Sequence, residues 1–234
     1  MSSYPPTLLA VFAHPDDETY RCGGTLALLA QRGVRAHVLT ATRGQAGSCG
    51  DPPLCSRDQL PIWRERELQC ACAALGIEPP RLLDYQDGQL AEADRETIIA
   101  EILAVAREVR PQVMLTYGPE GVSGHPDHVA IGQCAAEAFR RAEAIDALYT
   151  VAVPRSLAER LGMTQVRAVP DEQITLTVNV ALAWEQKLAA IHCHHTQLGE
   201  SPILAASPER QRLFLGVEHF ARLAWQGGRD FLAE

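Results

Sequence analysis

After Thr7 the chain is apolar without a break to Ala13. Such a run fits a strand covered on both faces, and so a central position in a parallel sheet. Glu18 to Arg32 then reads as a helix, with Gly33 where a helix C-cap prefers glycine. Val34 to Thr40 is a second strand. From Ala41 to Pro61 the sequence is rich in Gly, Pro, Ser and Asp and loses all periodicity. A loop of that length in a compact domain usually carries function or disorder. Ile62 to Leu75 is helical, with Gly76 as its stop, and Arg81 to Leu83 gives a short third strand. Asp94 is placed to cap a helix running to about Arg110, where Pro111 prevents continuation.

Val113 to Thr116 is the fourth strand, and Asp127 to Arg141 the next helix. Leu148 to Val153 and Ile174 to Val180 read as two further strands, followed by a helix from about Ala181 to His192. In the last forty residues Ser207-Pro208-Glu209 resembles a helix start, while Val217 to Trp225 suits either an edge strand or a helix. There is no repeat, no low-complexity tract and no clear boundary, so 1–234 reads as one domain. Repeated β-α units of this size predict an α/β fold, a Rossmann-like, doubly wound, mostly parallel sheet. Ligands of such sheets bind beyond the carboxyl ends of the strands.

Composition narrows the function classes. The chain of 234 residues carries a formal net charge of −8 and no dense Lys/Arg block, which argues against nucleic acid or an anionic membrane as a partner. The N-terminus lacks a basic region, and its first apolar run is only as long as a strand, so a cytoplasmic location is the expectation. The seven cysteines are Cys22, Cys49, Cys55, Cys70, Cys72, Cys134 and Cys193. They include no C-x-x-C pair, so no zinc knuckle is indicated. Cys49 and Cys55 flank a Pro-rich loop and could pair, but free thiols packed as small hydrophobes are the expectation in a protein without an export signal.

The chemistry sits at two strand exits. Ala13-His14-Pro15-Asp16-Asp17-Glu18 follows the first strand, and Gly124-His125-Pro126-Asp127-His128 follows the fourth. Imidazoles and carboxylates are costly to gather beside an apolar core unless a charged group such as a metal ion needs them. Catalytic zinc takes three nitrogen or oxygen ligands plus water. His14 and Asp17 are three residues apart, so a turn into the following helix can aim both inward. Asp16 and Asp17 are adjacent and cannot easily enter one coordination sphere, so one ligates and the other is free to touch the water. Either aspartate, or Asp127, could alone be a helix cap. His125 and His128 repeat the spacing, and one of them completes a His-Asp-His set.

The two clusters, together with Gly23-Gly24-Thr25, resemble the LmbE-like (PIG-L) family of zinc N-deacetylases. Thr42-Arg43-Gly44-Gln45-Ala46-Gly47 is similar to the family's Thr-x-Gly-Glu-x-Gly loop. Arg64 with Glu67-Leu68, Leu75-Gly76, Asp87-Gly88 and His194-His195-Thr196-Gln197 extend the likeness over roughly residues 7 to 200, leaving 201–234 as a C-terminal extension. The resemblance implies an LmbE-like fold and one Zn2+ per chain held by His14, Asp17 and His128. It also implies Asp16 as general base and a protonated His125 as stabiliser of the oxyanion. Asp127 would hold that imidazole in place and keep it charged. Arg64 and Asp87 would contact the substrate, and Gln45, where the family has Glu, would offer an amide in place of a carboxylate.

The expected activity is removal of the acetyl group from a small N-acetylated amino-sugar conjugate of N-acetylglucosaminyl type, a small-molecule amide. LmbE-like proteins often associate, so a homo-oligomer is compatible with the resemblance. Two rival readings stand beside it. One is an amidase on a larger thiol-cofactor or antibiotic-type conjugate. The other is a non-hydrolytic Rossmann nucleotide-binding module, which calls for a Gly-rich fingerprint after the first strand; here His-Pro-Asp-Asp stands there instead.

Overall fold

A computed structural model describes residues 5–233. Among them seven strands form one sheet in the order β3-β2-β1-β4-β5-β7-β6. The strands are β1 (Thr7–Phe12), β2 (Arg35–Thr42), β3 (Arg81–Tyr85), β4 (Val113–Tyr117), β5 (Ala147–Ala152), β6 (Leu176–Asn179) and β7 (Val217–Trp225). The helices are α1 (Asp17–Tyr20), α2 (Gly23–Gln31), α3 (Leu60–Leu75), α4 (Arg95–Val109), α5 (Pro126–Arg141), α6 (Arg155–Leu161), α7 (Trp184–Cys193) and α8 (Pro208–Leu215).

The pairs β1/β2, β1/β4, β2/β3 and β4/β5 are parallel, so the expected mostly parallel α/β sheet is present. Its order reverses between β1 and β4. Every residue of both strands is buried, as the apolar runs require of strands covered on two faces. Helices α2, α3 and α7 pack on one another, while α4 and α5 pack together against β1 and β4.

Four expectations need correction. The single helix Glu18–Arg32 is two helices, broken at Arg21 and Cys22. The break seats α2 closely: a Cβ on Gly24 would lie 2.4 Å from Cβ of Val180. The Glu218 carboxylate accepts from the amides of Gly24 (2.9 Å) and Thr25 (2.7 Å). Glu218 also pairs with Lys187 of α7 at 2.6 Å, both side chains fully buried.

Second, Val217–Trp225 is neither helix nor edge. It lies antiparallel between β5 and β6, so residues 201–234 contribute an interior strand, and Leu176–Asn179 takes the edge. Third, the helix expected from Ala181 begins only at Trp184, after a short 3-10 turn, and α6 had no anticipated counterpart. Fourth, Cys70 and Cys193 form a disulfide between α3 and α7, across 123 residues of sequence, while Cys49 and Cys55 remain free thiols. Packing of two distant helices sets that pairing, and cysteine spacing carries no trace of it.

Candidate active site

The exits of β1 and β4 are neighbours because the strands are paired, with Leu8 opposite Val113 and Ala10 opposite Leu115. That register brings His14 and His128, 114 residues apart, to 3.2 Å between Nδ1 and Nε2. The site therefore lies where the strand order reverses, beyond the carboxyl ends of the strands, where open α/β sheets bind ligands.

Asp17 begins α1, and its Oδ2 accepts from the backbone amides of Ala13 (3.1 Å) and His14 (2.9 Å). That turn leaves Oδ1 at 3.3 Å from His128 Nε2, with Oδ2 at 3.8 Å from His14 Nδ1. The other nitrogen of each ring is already engaged. His128 Nδ1 lies 3.0 Å from the Gly121 carbonyl, which can only accept. His14 Nε2 faces Asp87 at 3.1 Å and Asp127 at 3.2 Å. In their neutral forms both rings therefore turn lone pairs toward each other and toward a carboxylate.

With both rings neutral, three acceptors converge without a donor, an arrangement that draws in positive charge, either a proton on a ring or a bound cation. Zinc–nitrogen and zinc–oxygen bonds of about 2.0–2.1 Å imply ligand separations of roughly 3.3 Å in a tetrahedron. The His14–His128 and His128–Asp17 separations match that value, while Asp17 approaches His14 at 3.8 Å through its other oxygen.

Electrostatics agree. Burial opposes a charge on His14, but Asp127, Asp87 and Asp17 around it push its pKa up to about 10. Burial likewise works against ionisation of Asp17, yet His128, His14 and a hydrogen bond from Tyr117 hold its carboxyl well below the usual range. Tyr117 also stacks on His128, with ring centroids 4.1 Å apart. This residue at the end of β4 escaped the sequence reading because it looks like one more strand aromatic.

Two groupings, His14/His125/His128 and His14/Asp87/Asp127, have donor atoms within 4.8 Å of one another. The carboxylates of the second are largely satisfied by amides. Asp127 accepts from Gly88 N (2.7 Å) and Leu90 N (3.0 Å), and Asp87 from Ala46 N (2.9 Å). Their place is behind His14, orienting its ring as outer carboxylates do in metal sites.

Asp127 does not hold His125, contrary to expectation. Its carboxylate is directed to His14 and the loop after β3, and only its backbone N–H reaches His125 Nδ1, at 3.2 Å. Nor is His125 kept charged. Burial and the neighbouring His14 and His128 lower its pKa, outweighing Asp127 and Asp87. Because Nδ1 accepts from that amide, a neutral His125 carries its proton on Nε2.

Asp16 is half-buried beside this cluster. Burial pushes its carboxyl up to about 6, against the pull of the Arg64 guanidinium. Arg64 is buried, not exposed. Its Nη2 donates to Asp16 Oδ2 (3.0 Å) and the Pro15 carbonyl, and its Nη1 to the Gly44 carbonyl (2.8 Å). The guanidinium lies so close to Gly44 that a Cβ there would sit 2.1 Å from Nη1. Only glycine allows this approach.

Gln45 turns away from the site. Its amide donates to the Tyr85 carbonyl (3.2 Å) and the Gln86 side chain (3.4 Å), so a substrate role for it has no geometric support. A cavity of about 270 Å³ opens above the cluster, lined by His14, Asp16, Asp17, Arg64, Asp87, His125 and His128. Its remaining wall is Ala46, Gly47 and Gln197. Gln197 bonds Ser48 through both amide atoms, at 2.9 and 3.3 Å. The motif His194-His195-Thr196-Gln197 carries the signal for it.

Residues 9–139 match the family model described as PIG-L, GlcNAc-PI de-N-acetylase. This chain belongs to the PIG-L family. A similar relative is the 1D-myo-inositol 2-acetamido-2-deoxy-alpha-D-glucopyranoside deacetylase of Acidothermus cellulolyticus, 33% identical, with 93% of this chain and 88% of the relative covered. Among solved structures the fold is shared with the N,N'-diacetylchitobiose deacetylase of Pyrococcus horikoshii. The TM-score is 0.71 at 19% identity, over 93% of this chain and 83% of that one. It is shared as well with the 4-carboxy-2-hydroxymuconate hydratase of Pseudomonas putida KT2440, at TM-score 0.70 and 20% identity, covering 97% and 99%. A fold that serves both a hydrolase and a hydratase does not choose the reaction; the site must.

Proposed function

We propose that this chain is a metal-dependent N-deacetylase that hydrolyses the acetamide of a small N-acetylglucosaminyl conjugate. The observation that carries the reading is the convergence of His14 Nδ1, His128 Nε2 and the Asp17 carboxylate within 3.8 Å of one another, all acceptors once the rings are neutral. The family description and the named substrates of the PIG-L relatives, each an N-acetylated amino sugar, support the substrate class.

The donor set suits one zinc ion, with His14, Asp17 and His128 as its ligands. When bound, it would supply Lewis acidity toward the acetamide carbonyl and acidify the attacking water. Asp16, with its carboxyl near 6, is mostly ionised at neutral pH and accepts the proton that the water gives up. Arg64 fixes that carboxylate and shields its charge. His125 lines the cavity and, neutral, offers Nε2–H to the oxygen on which negative charge develops. Asp127 and Asp87 keep His14 aimed. The nucleotide-binding alternative loses its cradle, because the first amides of α2 are occupied by Glu218.

The test is metal analysis and acetate release together. Zinc-loaded protein should bind one ion per chain, lose it in His14→Ala, and release acetate from N-acetylglucosamine conjugates. Stoichiometric zinc with no acetate from any conjugate, but turnover of other amides, would transfer the assignment to the amidase reading.

A further inference from the structure

Asp16 is held in a backbone conformation that aspartate rarely adopts. Its φ is 110° and its ψ −24°, beyond the usual left-handed well and in the range that favours glycine. Such a conformation persists only where surrounding contacts over-determine it. The carbonyl of Asp16 accepts from Thr19 N (3.0 Å) and Thr19 Oγ1 (2.8 Å). Its N–H donates to Glu18 Oε2 at 3.0 Å. The other Glu18 oxygen, Oε1, lies 2.7 Å from His194 Nε2, and both side chains are fully buried.

His194 therefore reaches the candidate base through one intermediary. It stands 176 residues from Glu18 in sequence, just beyond the end of α7, and lines no part of the cavity. Its Nδ1 is buried and has no hydrogen-bond partner among the described residues. Among those residues the ring's one side-chain hydrogen bond is the contact that orients Glu18. Arg64 secures the carboxylate of Asp16; Glu18 and His194 secure its peptide.

We propose that Glu18 and His194 are a positioning pair that holds Asp16 in its left-handed conformation, so that its carboxylate faces the site. This rests on the deacetylase reading for the role of Asp16, but the restraint itself is a structural claim. Without it, the peptide relaxes toward an ordinary conformation and the carboxylate moves relative to the attacking water. A misplacement of about 1 Å typically costs on the order of 10² in rate.

The test compares zinc-loaded wild type, Glu18→Ala, His194→Ala and His194→Gln, whose amide can still donate to Glu18. The two alanine variants should lose about 10²-fold in kcat, with KM and zinc stoichiometry within about twofold, and His194→Gln should recover at least tenfold over His194→Ala. In an Asp16→Ala background, His194→Ala should cost nothing more. A crystal structure of His194→Ala should show Asp16 φ outside the positive range. Unchanged kcat in folded alanine variants, loss of zinc in step with kcat, or Asp16 unmoved in that crystal structure overturns the proposal. If wild type releases no acetate from any conjugate while Asp16 moves in the crystal structure, the deacetylase reading fails and the positioning pair stands.

Discussion

Lys187→Met should be among the most destabilising substitutions in the chain. Lys187 Nζ donates to Glu218 Oε1 (2.6 Å) and to the Leu215 carbonyl (2.7 Å), with both charged side chains fully buried. Burial pushes the ammonium pKa down, and Glu218 opposes that fall. Methionine fills similar volume but leaves the Glu218 carboxylate with only the two α2 amides. Removing one partner of a buried pair costs about 3–5 kcal/mol. For a chain of this size each kcal/mol shifts Tm by about 2–4 °C, so the expected drop is about 6–20 °C. Thermal and urea unfolding followed by circular dichroism measure it. Adding Glu218→Gln removes the stranded charge and should restore part of the loss, giving a coupling energy of about 1–3 kcal/mol. A loss below about 1 kcal/mol, or a double variant whose loss is the sum of the two single ones, would show that water or a rearranged neighbour compensates the charge.

The remaining expectations concern the site and its supports. His125→Ala should retain zinc and lose about 10²–10³ in kcat; loss of zinc instead would make His125 a ligand. Cys193→Ala should cost about 2–5 kcal/mol in urea unfolding, whereas Cys49→Ser and Cys55→Ser should each stay within about 0.5 kcal/mol. Burial disfavours charge on His194, but Glu18 outweighs it and raises the pKa above its ordinary value. Its contribution to stability is therefore fully present below about pH 6.5. It should fade as pH rises through the higher folded value, so the stability gap between wild type and His194→Gln should narrow from pH 6 to 9. A gap constant over that range would mean the ring does not titrate in the folded protein.

Much of the site was legible because its chemistry is local. His14, Asp16 and Asp17 fall within four positions, at the end of a run that can only be a buried strand, and His125, Asp127 and His128 repeat the pattern. What these residues do to one another was less legible. The expected partner of Asp127 was its near neighbour His125, yet the β1/β4 register delivers His14 to that carboxylate. Arg64 was expected to contact substrate; α3 turns it inward onto Asp16 and Gly44, while it still lines the cavity. Gln45 matched a motif position while its side chain points to Tyr85. Motif spacing records which residues are near in the chain, not which way they face.

By itself, the alternation of apolar strand runs with capped helices determined the α/β class, and two His/Asp clusters at strand exits determined where titratable side chains would gather. Local periodicity and short-range sterics suffice for such features, because each is decided within about a dozen residues. Only the tertiary structure decided that β7 inserts antiparallel inside the sheet, that Cys70 meets Cys193, that Glu218 caps α2, and that His194 reaches Asp16 through Glu18. Each of those joins segments beyond the reach of local periodicity, the last three across more than a hundred positions, and only the packing of the whole core brings such segments together.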